Sequence, residues 1–169
     1  MTAVVWTPGT AVPAPLNIYT CKVEQDWVDY NGHMTEAAYL TAMGWGSDAL
    51  FTYIGDNDEY RAAGNSFYTV ETHIVYEDEA FLNQPLHCTT LVLDIDPKRM
   101  HFYHELFNTE TGKRLSNCEQ MLVHVDTNTG KSSPMGSEMM TKLKPIGDAH
   151  AKLPQPVGIG RRVGEKPAK

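Results

Sequence analysis

One helix-length segment in a chain otherwise patterned as strands limits the fold more than any other feature. From Thr35 to Ile54, Tyr39, Met43, Gly46, Leu50 and Tyr53 recur at steps of three and four, with Leu40, Ala49 and Ile54 widening the stripe. That is the spacing of one apolar helix face. Thr35 is expected as N-cap and Gly55 as the left-handed residue past the end. Gly44 and Gly46 inside the helix suit close approach of a backbone or ligand, or plain packing on a sheet. After a polar loop at 56–65 the period becomes two and stays so, over 67–77, 85–95, 99–108 and 114–126. In the first of these, Tyr68, Val70, Thr72, Ile74 and Tyr76 are expected on one face and Phe67, Thr69, Glu71, His73 and Val75 on the other. A further strand precedes the helix at 16–27.

Short turns between the last four strands favour antiparallel pairing. The order is strand, long helix, four strands. It predicts an α+β fold, a five-stranded antiparallel sheet bent around one helix. One helix cannot cover such a sheet, so its edges call for a second subunit. The domain is placed at 16–145, after a proline-bearing arm at 1–15 and before a loose tail at 146–169, with a short helical turn around Glu138–Met140.

Charge narrows the function. Lys plus Arg number 14 against 21 Asp plus Glu, a net charge of −7, which argues against nucleic acid as partner. The N-terminus lacks the basic and apolar regions of a leader, and no run is long enough to span a membrane. Cys21, Cys88 and Cys118 are far apart and lie in strand-like runs. They read as reduced, buried thiols of a cytoplasmic protein. His101 and His104, three apart on a strand, face opposite sides and make a poor metal pair.

Directly before the helix runs Trp27-Val28-Asp29-Tyr30-Asn31-Gly32-His33-Met34. Asp, Asn and Gly there are the residues of an ordinary tight turn and cap. They also set a carboxylate beside a helix N-terminus, where N–H groups can hold an oxyanion. Glu71 and His73 share a strand face and either satisfy each other or serve a ligand. Lys98 and Arg99 at one hairpin, and Lys113 and Arg114 at another, are the local basic points for an anion.

The Asp29–Met34 run, with Tyr39 in the helix behind it, resembles the hotdog-fold acyl-CoA thioesterases of the 4-hydroxybenzoyl-CoA thioesterase type. Trp27–Glu36, Tyr68–Ile74, Lys98–His101 and Glu119–Asp126 are similar to the betainyl-CoA thioesterases of bacterial carnitine breakdown, which also occur fused to L-carnitine dehydrogenase. This chain would be the stand-alone form. The resemblance implies a homodimer or tetramer with a continuous sheet, an active site at the subunit interface, and no cofactor beyond the coenzyme A of the acyl-CoA substrate. It gives Asp29 the role of nucleophile or general base. Gly32, His33 and Met34 would offer N–H groups to the oxyanion. Asn31 and His33 would orient water or polarise the carbonyl. Glu71 would be a second catalytic carboxylate or the counter-charge of a quaternary ammonium. For that cation Trp27, Tyr30, Trp45 and Tyr68 offer aromatic faces, with His73 beside them. Lys98 and Arg99 would meet the coenzyme A phosphates. The alternatives are a thioesterase for another short acyl-CoA and a non-catalytic acyl-CoA-binding protein of the same fold.

Overall fold

The computed structural model describes residues 5–165. The first four residues, part of the segment in which no leader is read, lie outside the described range, as do the last four of the expected tail. Strand β1 (Leu16–Lys22) precedes helix α1 (Glu36–Ile54) and a one-turn helix α2 (Asp58–Ala62). Strands β2 (Asn65–Tyr76), β3 (Pro85–Ile95), β4 (Arg99–Asn108) and β5 (Arg114–Asp126) follow. A two-residue β6 (Lys131–Ser132) and helix α3 (Ser137–His150) complete the order. The sheet runs β1-β3-β4-β5-β2, antiparallel throughout, with β6 on β5. This is the expected α+β architecture, a curled five-stranded antiparallel sheet packed against one long helix, with β6 a short addition.

Helix α1 lies where the periodicity put it. Tyr39, Met43, Gly46, Leu50, Tyr53 and Ile54 are buried. Leu40 is 38% exposed, because it follows Tyr39 by one residue and turns about 100° off the buried stripe. Gly46 is a packing glycine: a Cβ there would stand 2.8 Å from Cys88 Sγ on β3. Gly55 closes the helix at φ +84°. The core has two parts. Around the N-terminal half of α1 sit Ala38, Tyr39, Ala42 and Met43 with Leu86, Leu106 and Leu115. Around its C-terminal half sit Leu50, Tyr53 and Ile54 with Phe67, Phe102, Leu143 and Ile146.

Strand β2 departs from the single alternation expected of it. A bulge between Thr69 and Glu71 shifts its phase. Phe67 stacks on Phe51 of α1 with ring centroids 5.4 Å apart, so the first half presents its odd positions to the helix. Past the bulge the even positions take over. Thr72 Oγ1 accepts from Gln120 Nε2 at 3.3 Å, and Tyr76 Oη donates to Glu36 O at 3.2 Å. Phe67 and Glu71 therefore lie on opposite faces of the sheet.

The C-terminal region also differs. Instead of a single turn near Glu138, α3 runs fourteen residues, across the boundary expected at 145/146 and through Pro145. Proline removes a donor inside a helix, but Leu143 and Ile146 on either side are fully buried, and that burial outweighs the lost bond. His150 pins three segments together: its Nδ1 accepts from Val92 N–H at 2.8 Å, and its Nε2 reaches Pro13 O at 3.0 Å. The N-terminal arm is irregular as expected, yet Trp6 is buried and its backbone N–H donates to Tyr53 O at 2.8 Å.

Candidate active site

The segment from Val28 to Met34 is a tight reversal. Val28 and Met34 face each other as an isolated bridge, and His33 bridges Phe81 in the β2–β3 connection. Asp29 N–H donates to His33 O at 2.9 Å, and Gly32 N–H donates back to Asp29 O at 3.0 Å. Gly32 sits at φ +79° with open space where a Cβ would go. Its glycine is required by the backbone angle, not by crowding. Thr35 N–H donates to Trp27 O at 2.8 Å, which ties the loop to the start of α1.

This framework sets two backbone amides on one oxygen of the Asp29 carboxylate. Asp29 Oδ1 accepts from Asn31 N–H at 2.8 Å and from His33 N–H at 3.1 Å. Partial loss of water pushes the carboxyl up, but the donors on His33 and Asn31 outweigh it and hold Asp29 below the usual carboxylate range. It is ionised at neutral pH and partly exposed, and neither amide bonds to its Oδ2. Such an oxygen can attack a carbonyl or take a proton from water.

The expected oxyanion donors are otherwise occupied. Gly32 N–H is bonded to Asp29 O, His33 N–H to Asp29 Oδ1, and Met34 N–H to Ala80 O at 2.8 Å. The turn that positions the carboxylate consumes the amides that the sequence offered to the oxyanion, so that charge falls to side chains. His33 is the nearest. Its ring packs edge-on against Phe81 at 5.0 Å, and its Nδ1 lies 3.7 Å from Glu79 Oε1. Tyr39 Oη donates to Asp78 O at 3.0 Å, and Lys113 pairs with the Asp78 carboxylate. Glu79, Asp78, Phe81 and Lys113 thus frame the loop. Sequence reasoning did not find the first three, which lie about fifty residues away in a connection without a motif.

The other predicted residues are spread over the protomer. Trp27 packs against the core around Tyr39, whereas Tyr30 is 96% exposed. Trp45 is half-exposed on α1, beside a cavity lined in part by Phe51 and Phe67. Glu71 and His73 are not gathered with Asp29. They face away from α1 and line a cavity of about 510 Å³ with His101, Glu119 and the segment 160–163. Tyr68 pairs with Val123 next to the inward Phe67 and so also faces away. Lys98 and Arg99 lie at the β3–β4 turn, where Arg99 Nε donates to Asp96 Oδ2 at 2.6 Å. That is the opposite end of the strands from Asp29. Lys113 and Arg114 are at the near end, Arg114 being paired with Glu77 and Glu105.

Histidines 101 and 104 are on opposite faces of β4: His104 is fully buried against α1, while His101 Nε2 lies 2.8 Å from Glu119 Oε1 on the other side. Among the described residues no group of three His, Cys, Asp or Glu is arranged to hold a metal. Nor is any helix among them long and apolar enough to cross a membrane.

Known proteins with this sequence pattern carry the same fold. The chain is 49% identical over 152 residues to an L-carnitine dehydrogenase/betainyl-CoA thioesterase of Rhizobium meliloti, covering 90% of this chain and 31% of that protein. It therefore spans under a third of that two-activity relative. It is 36% identical over 155 residues to the betainyl-CoA thioesterase of Pseudomonas aeruginosa, covering 91% of this chain and 98% of that one. A Pseudomonas putida KT2440 crystal structure assigned as a thioesterase superposes with TM-score 0.78 at 33% identity, covering 92% of this chain and 99% of that one. A Staphylococcus aureus protein solved in complex with CoA shares the fold at TM-score 0.79 and 20% identity, covering 93% of this chain and 100% of that one. The thioesterase-like superfamily model matches residues 23–143. With the curled sheet, the single buried helix and the carboxylate turn ahead of it, that match makes this chain a member of the thioesterase-like superfamily.

Proposed function

We propose that this chain hydrolyses betainyl-CoA to glycine betaine and coenzyme A, acting as a homodimer in the cytoplasm. The observation that carries hydrolysis is the Asp29 carboxylate, ionised, partly exposed and oriented by two backbone amides on Oδ1. The acyl group is supported by the two relatives described above, one of them matched over nearly its whole length. As base, Asp29 takes a proton from water while the water oxygen attacks the thioester carbonyl. As nucleophile, it forms an anhydride that water then opens. In both, the C–S bond breaks and the electron pair leaves on the coenzyme A thiolate, a good leaving group that needs little acid assistance. In this reading His33, whose ring stands between Phe81 and Glu79, receives the oxyanion.

The dimer reading rests on β2. It is an edge strand paired only with β5, and Tyr68 to Thr72 are five exposed residues in a row, with Tyr68 51% and Val70 59% exposed. A long, apolar, unpaired edge is normally covered. For the phosphates of coenzyme A, Lys113 and Arg114 are cations at the same end of the strands as the Asp29 loop. Lys98 and Arg99 serve only if a partner subunit brings them there.

The test is thiol release measured across a panel of acyl-CoAs. The reading predicts turnover of betainyl-CoA with kcat/KM well above that for acetyl-CoA. Tight binding of betainyl-CoA without thiol release would instead mark a non-catalytic acyl-CoA-binding protein.

A further inference from the structure

Between α1 and β2 lies a cavity of about 390 Å³ whose chemistry the Asp29 loop does not explain. Its walls are aromatic: Trp45, Phe51 and Phe67 line it. Its floor is polar but already satisfied, since Ser47 Oγ lies 2.9 Å from His104 Nε2 and donates to Gln120 Oε1 at 3.3 Å. Its one charged group is Asp48, one helical turn past Trp45. Among the described residues no cation stands within ion-pair distance of Asp48. Arg61 acts on it only at longer range and is itself bonded to Asp56 at 3.2 Å. Asp48 is exposed on α1, and partial loss of water still pushes its carboxyl up.

A carboxylate without a cation, flanked by an indole face and two phenyl rings, has the composition of a site for a quaternary ammonium. Such a cation has no N–H to donate and is held by ring faces and a nearby negative charge. From sequence alone Glu71 is the candidate for that charge. The bulge in β2 turns Glu71 to the other side of the sheet, and Asp48 stands on the helix side instead.

We infer that Trp45 and Asp48 form the head-group site for the trimethylammonium of the acyl chain, and that this site meets Asp29 of the other protomer across the subunit interface that the resemblance implies. The second clause follows from length. Asp48 lies about 18 Å along α1 from its first residue, at 1.5 Å per residue. The Asp29 loop packs at that first end, in the part of the core around Tyr39, whereas Phe51 and Phe67 belong to the part around Leu50. In a betainyl group a single methylene separates the carbonyl from the nitrogen. One protomer cannot hold both ends. The exposed β2 edge beside the cavity is where a second copy would bring its own loop.

The inference rests on the thioesterase reading, and the test separates the two. Thiol release is measured on betainyl-CoA and on its neutral isostere, 3,3-dimethylbutyryl-CoA, for the wild type, Asp48→Asn and Trp45→Leu. The ratio of kcat/KM for the cation to that for the isostere is expected to fall about tenfold in each variant. An unchanged ratio in both variants overturns the head-group site. No thiol release from either substrate by the wild type overturns the functional reading itself. Co-expression of Asp29→Asn with Asp48→Asn then tests sharing. In a two-fold dimer, random pairing restores about a quarter of the sites to wild type, so betainyl-CoA turnover rises above the mean of the two parents. A rate equal to that mean overturns the cross-protomer site.

Discussion

The Asp29 loop and the interior under α1 each combine an imidazole with hydroxyl or carboxylate oxygens, and they are built on opposite principles. At the Asp29 loop the polar groups reach solvent, and the carboxylate is partly exposed with two backbone amides on Oδ1. Under the middle of α1, His104 is fully buried. Its Nε2 lies 2.9 Å from Ser47 Oγ, its Nδ1 lies 2.9 Å from Thr90 Oγ1, and Gln120 closes the network onto Thr72. By residue type the buried set is the closer match to catalytic machinery, since serine, histidine and threonine lie in line. By access it is the weaker site, because Ser47 is 7% exposed and its oxygen already has partners. The difference teaches that the reactivity proposed for Asp29 follows from its exposure and charge, not from which residues meet.

The sharpest way to break that contrast is to remove the charge of the exposed carboxylate. Asp29→Asn keeps the side-chain oxygen that accepts from Asn31 and His33, so the turn survives, but it loses the negative charge. The expected result is a fall in kcat/KM for thiol release of about a hundredfold or more, with an unchanged melting temperature. The wild-type acid limb should also lie below the ordinary aspartate range of about 3.9, because the amide donors favour the ionised form. A loss under about tenfold would place the reactive group elsewhere.

The buried network predicts an effect on stability instead. Burial lowers the pKa of His104 to about 4. The unfolded imidazole binds a proton near pH 6.5, so between those values the unfolded chain carries the extra proton. Stability therefore falls as pH falls through this window, by about 2 kcal/mol between pH 7.5 and pH 5 for this one group. Burial lowers His87 and His150 as well, with the same sign. Urea midpoints at the two pH values, for wild type and His104→Gln, measure the part that belongs to His104. An equal pH dependence in both would remove the buried neutral imidazole from the account.

The sequence showed α1, the strand order and the Asp29 turn because each is local: a 3.6-residue stripe, a run of period two, a glycine needing positive φ. It did not show what depends on pairing. One extra residue at Val70 reverses the facing of half of β2, and nothing in Tyr68–Ile74 marks it, since threonines stand in both alternating sets. Pro145 hid α3, whose existence rests on burial of Leu143 and Ile146 against distant elements. Asp48 escaped notice because a single acidic residue on a helix is ordinary until the cavity beside it is visible. The oxyanion amides were legible as donors, but their acceptors were not.

The smallest expected effect tests the bulge. With Glu71 on the face away from α1, Glu71→Gln should change kcat/KM for betainyl-CoA by less than about threefold, the range of an ordinary surface substitution. The groups around it are already engaged with one another. His101 Nε2 lies 2.8 Å from Glu119 Oε1, and Gly160 N–H donates to Glu119 Oε2 at 2.7 Å, which draws the C-terminal segment over the cavity. Removing one charge at the rim of that arrangement leaves its bonds in place. A loss of tenfold or more in kcat/KM, with unaltered stability, would mean that the outer face takes part in the reaction. The contrast between an open helix-end site and a closed interior would then have to include a third region, reached from the other side of the sheet.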